Sequence, residues 1–338
     1  MAGLIVLVVN AGSTSLKLSA VAEDDSTEAV ASLAEAPRVD AVAHRVVHGG
    51  LLFRDPVVID DAVRADLDGL AELAPLHNVP ALAEIDAARG AMPGLPHIAV
   101  FDTAFHATLP DEASTYAVPQ RWREEWGIRR YGFHGLSVAW AAERVPVERL
   151  VVCHLGGGCS ITAVLNGRSL DTTMGFSPLE GVPMATRSGS IDAEILLHLQ
   201  RHGLASNEEL EHALEHESGL QGLGGSPRVE ELEARDDAAA RLALDVFCHR
   251  IAAAVAAMTT ALGGLDALVF TAGVGEGSAS IRERVCARLG FLGVQLDRAA
   301  NGSAVPDADV AAVASAVRVW VVRAREDIVA ARAARGVL

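Results

Sequence analysis

The sequence predicts an α/β protein built from two similar domains that face each other across a cleft. Three observations carry this. The chain has 338 residues, which suits two domains of ordinary size. Apolar strand patterns alternate with helical patterns along the chain, and several strands run directly into glycine-rich turns. The opening VVNAGSTSLKLSAV also matches VVCHLGGGCSITAV in the middle of the chain, strand for strand and turn for turn, with Asn10 falling on His154 and Gly12 on Gly156. A repeat of strand, glycine turn and strand points to duplicated halves. Each half would present its hairpin to a shared cleft, where ligand sites commonly lie.

Composition narrows the class. Apolar residues make up 50% and charged residues 21%, as in a soluble globular protein with ample core. A net charge of -16 argues against nucleic acid or a membrane surface as partner, while leaving room for a small anion in a local basic pocket. The four cysteines (Cys153, Cys159, Cys248 and Cys286) form no CxxC pair, and a reducing cytoplasm is the expected compartment. The apolar runs from Gly3 to Val9 and from Ile251 to Leu262 are too short for a signal peptide or a bilayer span. Among the 28 lysines and arginines Lys17 is the only lysine, which suggests a need there for a compact ammonium.

The elements follow in order. Leu4 to Val9 reads as a strand buried on both faces. The turn from Asn10 to Ser15 offers hydroxyls and N–H groups, and the next strand, Leu16 to Val21, adds Lys17; together they form either an anion grip or an ordinary polar hairpin. Ala41 to Val47 is a strand. Asp60 caps a helix reaching Leu73. Pro75-Leu76-His77-Asn78 reads as a turn before a helix from Val79 to Arg89. Ile98 to Phe101 is a strand with Asp102 at its carboxyl end, where a carboxylate is a candidate magnesium ligand, an acid/base group or a simple cap. His134 precedes a helix from Leu136 to Arg144, whose N-terminus favours the neutral imidazole.

In the second half, a strand from Leu150 to Cys153 breaks into His154-Leu155-Gly156-Gly157-Gly158. Adjacent glycines there let the backbone approach a ligand closely. The next strand, Ile161 to Leu165, ends at Asn166-Gly167, a hairpin signal. Arg187 lies in a run of small polar residues, a candidate anion clamp. Helices follow from Ile191 to His202, after the capping box at Ser206, and from Arg235 to Leu262. A strand from Asp266 to Phe270 runs into a glycine turn carrying Gly273, Val274, Gly275, Glu276 and Gly277, and then into a helix, an arrangement that suggests a nucleotide site. Arg318 to Val322 is the last strand, and Glu326 opens the last helix.

Seven motifs occur in one order: N-A-G-S-T-S-L-K, H-R-V-V-H-G-G, F-D-T-A-F-H, R-Y-G-F-H-G, H-L-G-G-G, M-G-F with M-A-T-R, and T-A-G-V-G-E. Together they span nearly the whole chain and resemble the acetate kinase family, part of the acetate and sugar kinase, heat-shock ATPase and actin superfamily. The resemblance implies two ribonuclease-H-like α/β domains around an interdomain cleft, here 1–104 plus 327–338 and 105–326, the latter binding nucleotide and forming a homodimer. It implies reversible, direct in-line phosphoryl transfer between ATP and acetate, giving acetyl phosphate and ADP, with magnesium or alternatively manganese.

Residue by residue, the resemblance implies that Asn10 and Glu326 organise the metal and that Lys17 meets nucleotide phosphate. Arg45 would bind the acetate carboxylate, Asp102 would be the acidic active-site residue, and His134 and Arg187 would stabilise the phosphoryl group in transit. Val47, Leu76, Phe133 and Pro178 would line the methyl pocket. His154, Leu155, Gly156, Gly157 and Gly158 would hold nucleotide, together with Gly273 to Gly277 and Arg228. The chain departs from the family pattern at Gly157 and Gly277, where asparagines are usual, at Ser226-Pro227-Arg228, where the family has a D-F-R-type segment, and in a shortened stretch between Val21 and Asp40. The acceptor side is intact, so the departures bear on nucleotide selectivity. Rival expectations are a propionate or butyrate kinase, a sugar kinase, and a non-enzymatic actin-like or chaperone-like nucleotide-binding module.

Overall fold

The computed structural model describes residues 3–11, 16–71 and 75–338, without the side chains of 75–77. Its twelve described strands form two sheets of six. They are β1 (Val6–Ala11), β2 (Leu16–Val21), β3 (Thr27–Val30), β4 (Ala41–Val46), β5 (Val57–Val58), β6 (His97–Phe101), β7 (Arg149–Leu155), β8 (Cys159–Leu165), β9 (Arg168–Thr172), β10 (Ala267–Thr271), β11 (Ala308–Asp309) and β12 (Arg318–Val321). The orders are β3-β2-β1-β4-β6-β5 and β11-β12-β10-β7-β8-β9. Read from the meander outward, the two orders coincide. Three antiparallel strands are followed by two parallel ones and a short antiparallel edge. The repeat expected from the sequence is therefore a duplication of the whole sheet.

Two helices lie between the sheets. Gly135–Arg144 packs on β7 and β10, Glu326–Arg335 packs on β1, β4 and β6, and the two helices touch each other. One hydrophobic cluster joins Val6, Val8, Ile98 and Val100 of the first sheet to Leu150, Val152 and Val269 of the second through Leu136, Val138 and Ile328 of these helices. Strands buried on both faces need continuous apolar runs, and β1, β6, β7 and β10 have them, while in β4 the run Ala41-Val42-Ala43 gives way to His44 and Arg45. On the outer face of the second sheet lies the helix Ala238–Leu262, capped by Asp237 and ended by Gly263 in the left-handed region. It is long and apolar enough to cross a membrane, but half of its most apolar window is buried against the core.

Local signals explain most boundaries. The Asp60 side chain accepts from the N–H of Val63 to start Asp61–Gly69, and the Ser206–Glu209 capping box starts Asn207–His216. Asn166 (φ 49°) and Gly167 (φ 77°) make the two-residue turn between β8 and β9.

Three expectations are corrected. Pro75 does not sit in a turn: it opens the helix Pro75–Ala91, as proline can at a first helical turn. His154 and Leu155 belong to β7, because their pairing with Ser160 and Cys159 continues the ladder, and the turn shrinks to Gly156–Gly158, closed by Gly156 N–H donating to Gly158 O at 3.0 Å. The stretch after β10 is a short helix, Ala272–Gly277. Its ends are satisfied by side chains: Arg282 donates to the carbonyls of Gly275 (2.9 Å) and Glu276 (2.8 Å), groups a helix end leaves open.

Candidate active site

The carboxyl ends of the parallel strands of both sheets meet at one cleft, with Asn10 at the end of β1, Arg45 on β4, Asp102 after β6 and His154 on β7. Two cavities open there. One, of about 490 Å³, is lined by Arg45, Val47, Asp102, Phe133, His134, Gly158, Pro178, Arg187 and Glu215. The other, of about 780 Å³, is lined by Asn10, Lys17, Gly156, Arg228, Gly273, Val274 and Glu276. His154, Gly157, Ala185, Pro227 and Glu326 line both, so the cavities are continuous.

The smaller cavity is braced by charge. Arg45 donates from Nε to both carboxylate oxygens of Asp102, at 3.0 and 3.1 Å, and from NH1 to Asn10 Oδ1 at 2.9 Å. Asn10 Nδ2 donates to Glu326 Oε2 at 3.0 Å, and Arg45 NH1 stands 3.7 Å from that carboxylate. Burial works against the Arg45 charge, but Asp102 and Glu326 more than offset it and raise its pKa. Burial raises the Asp102 carboxyl against the pull of Arg45. It also opposes the Glu326 charge, yet Arg45, His154, Asn10 and Lys17 hold that carboxyl below its ordinary value. Of its five N–H groups, a guanidinium bound in this way keeps some for a ligand anion. Gly135 is required for close approach, since a Cβ there would lie 2.2 Å from Asp102 O, which accepts from the Gly135 N–H.

His134 enters the cleft from a left-handed backbone position (φ 60°), just before its helix. Its ring stacks on that of His154, with centroids 4.0 Å apart and planes 17° apart. Burial, then repulsion from His154, Arg45 and Arg187, drives the His134 pKa well down. Burial takes His154 to about 4. Arg187 donates from Nε to Glu215 at 2.7 Å and lies beside Pro178 O. The apolar wall of Val47 and Phe133 is backed by two buried histidines. The His48 ring contacts the rings of Tyr131 and Phe133, while His106 bridges Phe133 O (2.9 Å) and Ser169 Oγ (2.8 Å).

The larger cavity combines open space at its glycines with charged side chains, among them Lys17, Arg228, Glu230, Arg325 and Asp327. An added Cβ at Gly157 or Gly273 would meet nothing within 4 Å. Arg228 lies on the rim, with 66% of its side chain exposed, paired with Glu231. Glu276 braces the floor, accepting from the N–H of Ala272 (3.0 Å) and of Ala324 (2.9 Å). The side chain of Leu76 and the turn residues Gly12 to Ser15 lie outside the described residues. Three expected nucleotide residues line neither cavity. Leu155 is a core residue at 0% exposure, Gly275 packs against Phe270 and the Cys153 carbonyl, and Gly277 ends its short helix with open space beside it. Gly158 lines the smaller cavity rather than the larger. Sequence reasoning gave no role to Ala185 or Pro227, although both stand in stretches it singled out, and it missed Glu215, Arg325 and Asp327, which belong to none of the seven motifs.

A carboxylate, an amide and an open anion-binding space suit a magnesium ion held largely by substrate phosphates and water, since that ion uses one or two protein carboxylates. Among the described residues no group of three or more His, Cys, Asp or Glu could hold a metal unaided.

A model of the acetokinase family matches residues 28–332. The acetate kinase of Nostoc punctiforme is 47% identical over 316 residues, covering 90% of this chain and 77% of that one. The acetate kinase of Gloeobacter violaceus is 48% identical over 314 residues, covering 89% and 77%. Among solved structures, a propionate kinase from Francisella tularensis superposes with a TM-score of 0.89 at 32% identity, covering 98% of each chain. The acetate kinase of Porphyromonas gingivalis gives 0.86 at 31% identity, covering 99% of each.

Proposed function

The chain belongs to the acetate kinase family, a family of phosphotransferases acting on acetate, and from that membership we propose how its cleft divides the labour of phosphoryl transfer between ATP and acetate. The smaller cavity takes acetate and the larger takes nucleotide. The observation that carries this division is the position of Arg45, fixed by Asp102 and Asn10 inside a cavity whose other wall is apolar. A carboxylate needs a cation on one side and a methyl needs an apolar surface on the other.

Acetate is already ionised, so it needs no general base. The obstacle is repulsion between two anions, and what the cleft supplies is charge and position. Arg45 holds the acceptor carboxylate, and Asp102 keeps its guanidinium from swinging. Val47, Phe133 and Pro178 hold the methyl, with Leu76 as a further lining residue. Arg187, held by Glu215, and His134 donate to the phosphoryl oxygens as they pass. Lys17, His154, Gly156 and Gly157 face the nucleotide phosphates, and Gly273, Val274 and Glu276 border the nucleoside, with Arg228 at the mouth. Magnesium, with manganese as an alternative, would screen the phosphate charge, held by Glu326 with Asn10 beside it. Bringing acceptor and donor into line is then the main source of rate.

We further propose a division at residue 104, with 327–338 returning to the first domain, a homodimer formed through the second domain, and a cytoplasmic setting. The test of the activity is acyl phosphate formation, trapped as the hydroxamate, with acetate and ATP. Acetyl phosphate should form in proportion to ADP; ATP consumption with no acyl phosphate would refute the reading.

A further inference from the structure

His134 and His154 stand where the two cavities join, and burial keeps both imidazoles uncharged. An uncharged imidazole has one N–H. Whether it can donate to an anion in the cleft depends on which nitrogen carries it. The far side of each ring bears on this. His134 Nδ1 lies 3.0 Å from Ser160 Oγ, and His154 Nδ1 lies 2.9 Å from Ser137 Oγ. Both serines are fully buried, at 0% exposure. Among the described residues, neither hydroxyl has another hydrogen-bond partner.

Counting protons then decides the tautomer. If Nδ1 held the ring hydrogen and donated it to Oγ, the serine O–H would be buried with nothing to accept it, at a cost of about 1–3 kcal/mol. If the O–H donates to Nδ1, each pair is satisfied and the ring hydrogen sits on Nε2. That atom lies beside the glycines that line the cavities: a Cβ on Gly158 would stand 3.3 Å from His134 Nε2 and 3.5 Å from Arg187 Nη1, and a Cβ on Gly156 would stand 3.7 Å from His154 Nε2.

We propose that Ser160 and Ser137 are positioning residues that fix His134 and His154 in the Nε2–H tautomer, so that His134 donates to the phosphoryl group in transit and His154 to the nucleotide phosphates beside it. The bonds are crossed. Ser160 is the register partner of His154 yet holds His134, and Ser137, one turn after His134, holds His154. Crossing ties the β7–β8 hairpin to the start of the helix Gly135–Arg144 and keeps the two rings face to face. In the first sheet the same hairpin position opposite Asn10 is Lys17. The duplicated frame thus places a cation in one half and a tautomer clamp in the other. A donor fixed in this way needs no proton uptake and works at any pH at which the ring is uncharged.

The catalytic consequence rests on the phosphoryl-transfer reading above; the tautomer assignment does not. The test is long-range ¹⁵N–¹H spectroscopy of histidine-labelled protein at pH 7, with His134→Asn and His154→Asn used to assign the signals. Both rings should show a protonated Nε2 and a bare Nδ1. Ser160→Ala should mix the His134 tautomers and lower kcat about tenfold or more, with the KM for acetate changed by no more than about twofold. Ser160→Thr, which keeps the hydroxyl, should restore both. A protonated Nδ1 in the wild-type protein would overturn the inference even if the alanine variant fails to fold, and so would an alanine variant with an unmixed tautomer or wild-type kcat. Wild-type protein that makes no acetyl phosphate would instead refute the proposed function, with the spectrum still deciding the tautomers.

Discussion

The two sides of the cleft are built by opposite rules. On the proposed acceptor side almost every polar group is held by another. Arg45 is fixed by Asp102 and Asn10, Arg187 by Glu215, and the Phe133 carbonyl by His106. On the proposed nucleotide side Gly157 and Gly273 leave space where side chains would stand, and Arg228 sits out on the rim. A braced wall discriminates between ligands because a misfit leaves buried groups unpaired. Glycine backbone and a few charges around open space grip phosphate with little reading of what is attached to it. The cleft should therefore be exacting about the acceptor and tolerant about the donor.

The largest expected effect comes from breaking the braced side. Arg45→Ala and Arg187→Ala should each lower kcat by about a hundredfold or more, as loss of a donor to transition-state charge does. Steady-state kinetics on variants with unchanged circular dichroism would show this. Near-normal turnover in both would mean the bracing serves stability alone.

A second consequence concerns acid. Burial lowers His106 and His154 to about 4, against an ordinary value near 6.5. Between those values the unfolded chain binds protons that the folded chain refuses, so stability is lost as pH falls from about 6.5 toward 4 and is level above that window. Urea midpoints at pH 7.5, 6.0 and 5.0 should fall by the equivalent of about 2 kcal/mol or more in all. His106→Gln should flatten the fall. Equal midpoints would place these rings in a wetter setting than the acceptor wall described here.

Third comes Lys17, the single cation contributed by β2 to the open side. Lys17→Arg should lower kcat/KM for ATP about tenfold, because a planar fork does not replace a compact ammonium at phosphate. Full activity in that variant would show that any cation suffices there.

The smallest effect would sharpen the comparison. Gly157→Asn adds an amide where an added Cβ meets no atom within 4 Å, at a position where the acetate kinase family usually has asparagine. It should improve the KM for ATP a few-fold, as a neutral hydrogen bond worth about 0.5–1.5 kcal/mol would. Gly277→Asn, on a residue outside the cavity lining, should do nothing. Equal effects from both would mean that the helix Ala272–Gly277 shifts when nucleotide binds.

Much of this frame could be read from the chain itself. The duplicated hairpin, the Asp60 and Ser206 caps and the Asn166-Gly167 turn are local signals, and local physics honours them. Arg45, Asp102, His134 and Arg187 could be found because each stands in a motif, and the fold brings all four to one cavity. What sequence missed depended on distant partners. The helix at Ala272–Gly277 is satisfied at its end by Arg282, and a run of glycines gives no hint of that. Glu215 looks like one more acid on a solvated helix until it meets Arg187 from 28 residues away. Leu155 and Gly275 sit inside apparent ligand loops, but their directions are set by strand pleat and packing that motif spacing does not encode.

The contrast between the two walls is open to one matrix of kinetics. Acetate, propionate and butyrate would each be paired with ATP, GTP and pyrophosphate, and kcat/KM determined for acyl phosphate formation. Each added methylene should cost about 1–3 kcal/mol against the Val47 and Phe133 wall, so acetate should exceed butyrate by well over tenfold. ATP and GTP should differ by less than about tenfold, with pyrophosphate not the exclusive donor. A donor preference steeper than the acceptor preference, or butyrate used as well as acetate, would contradict it.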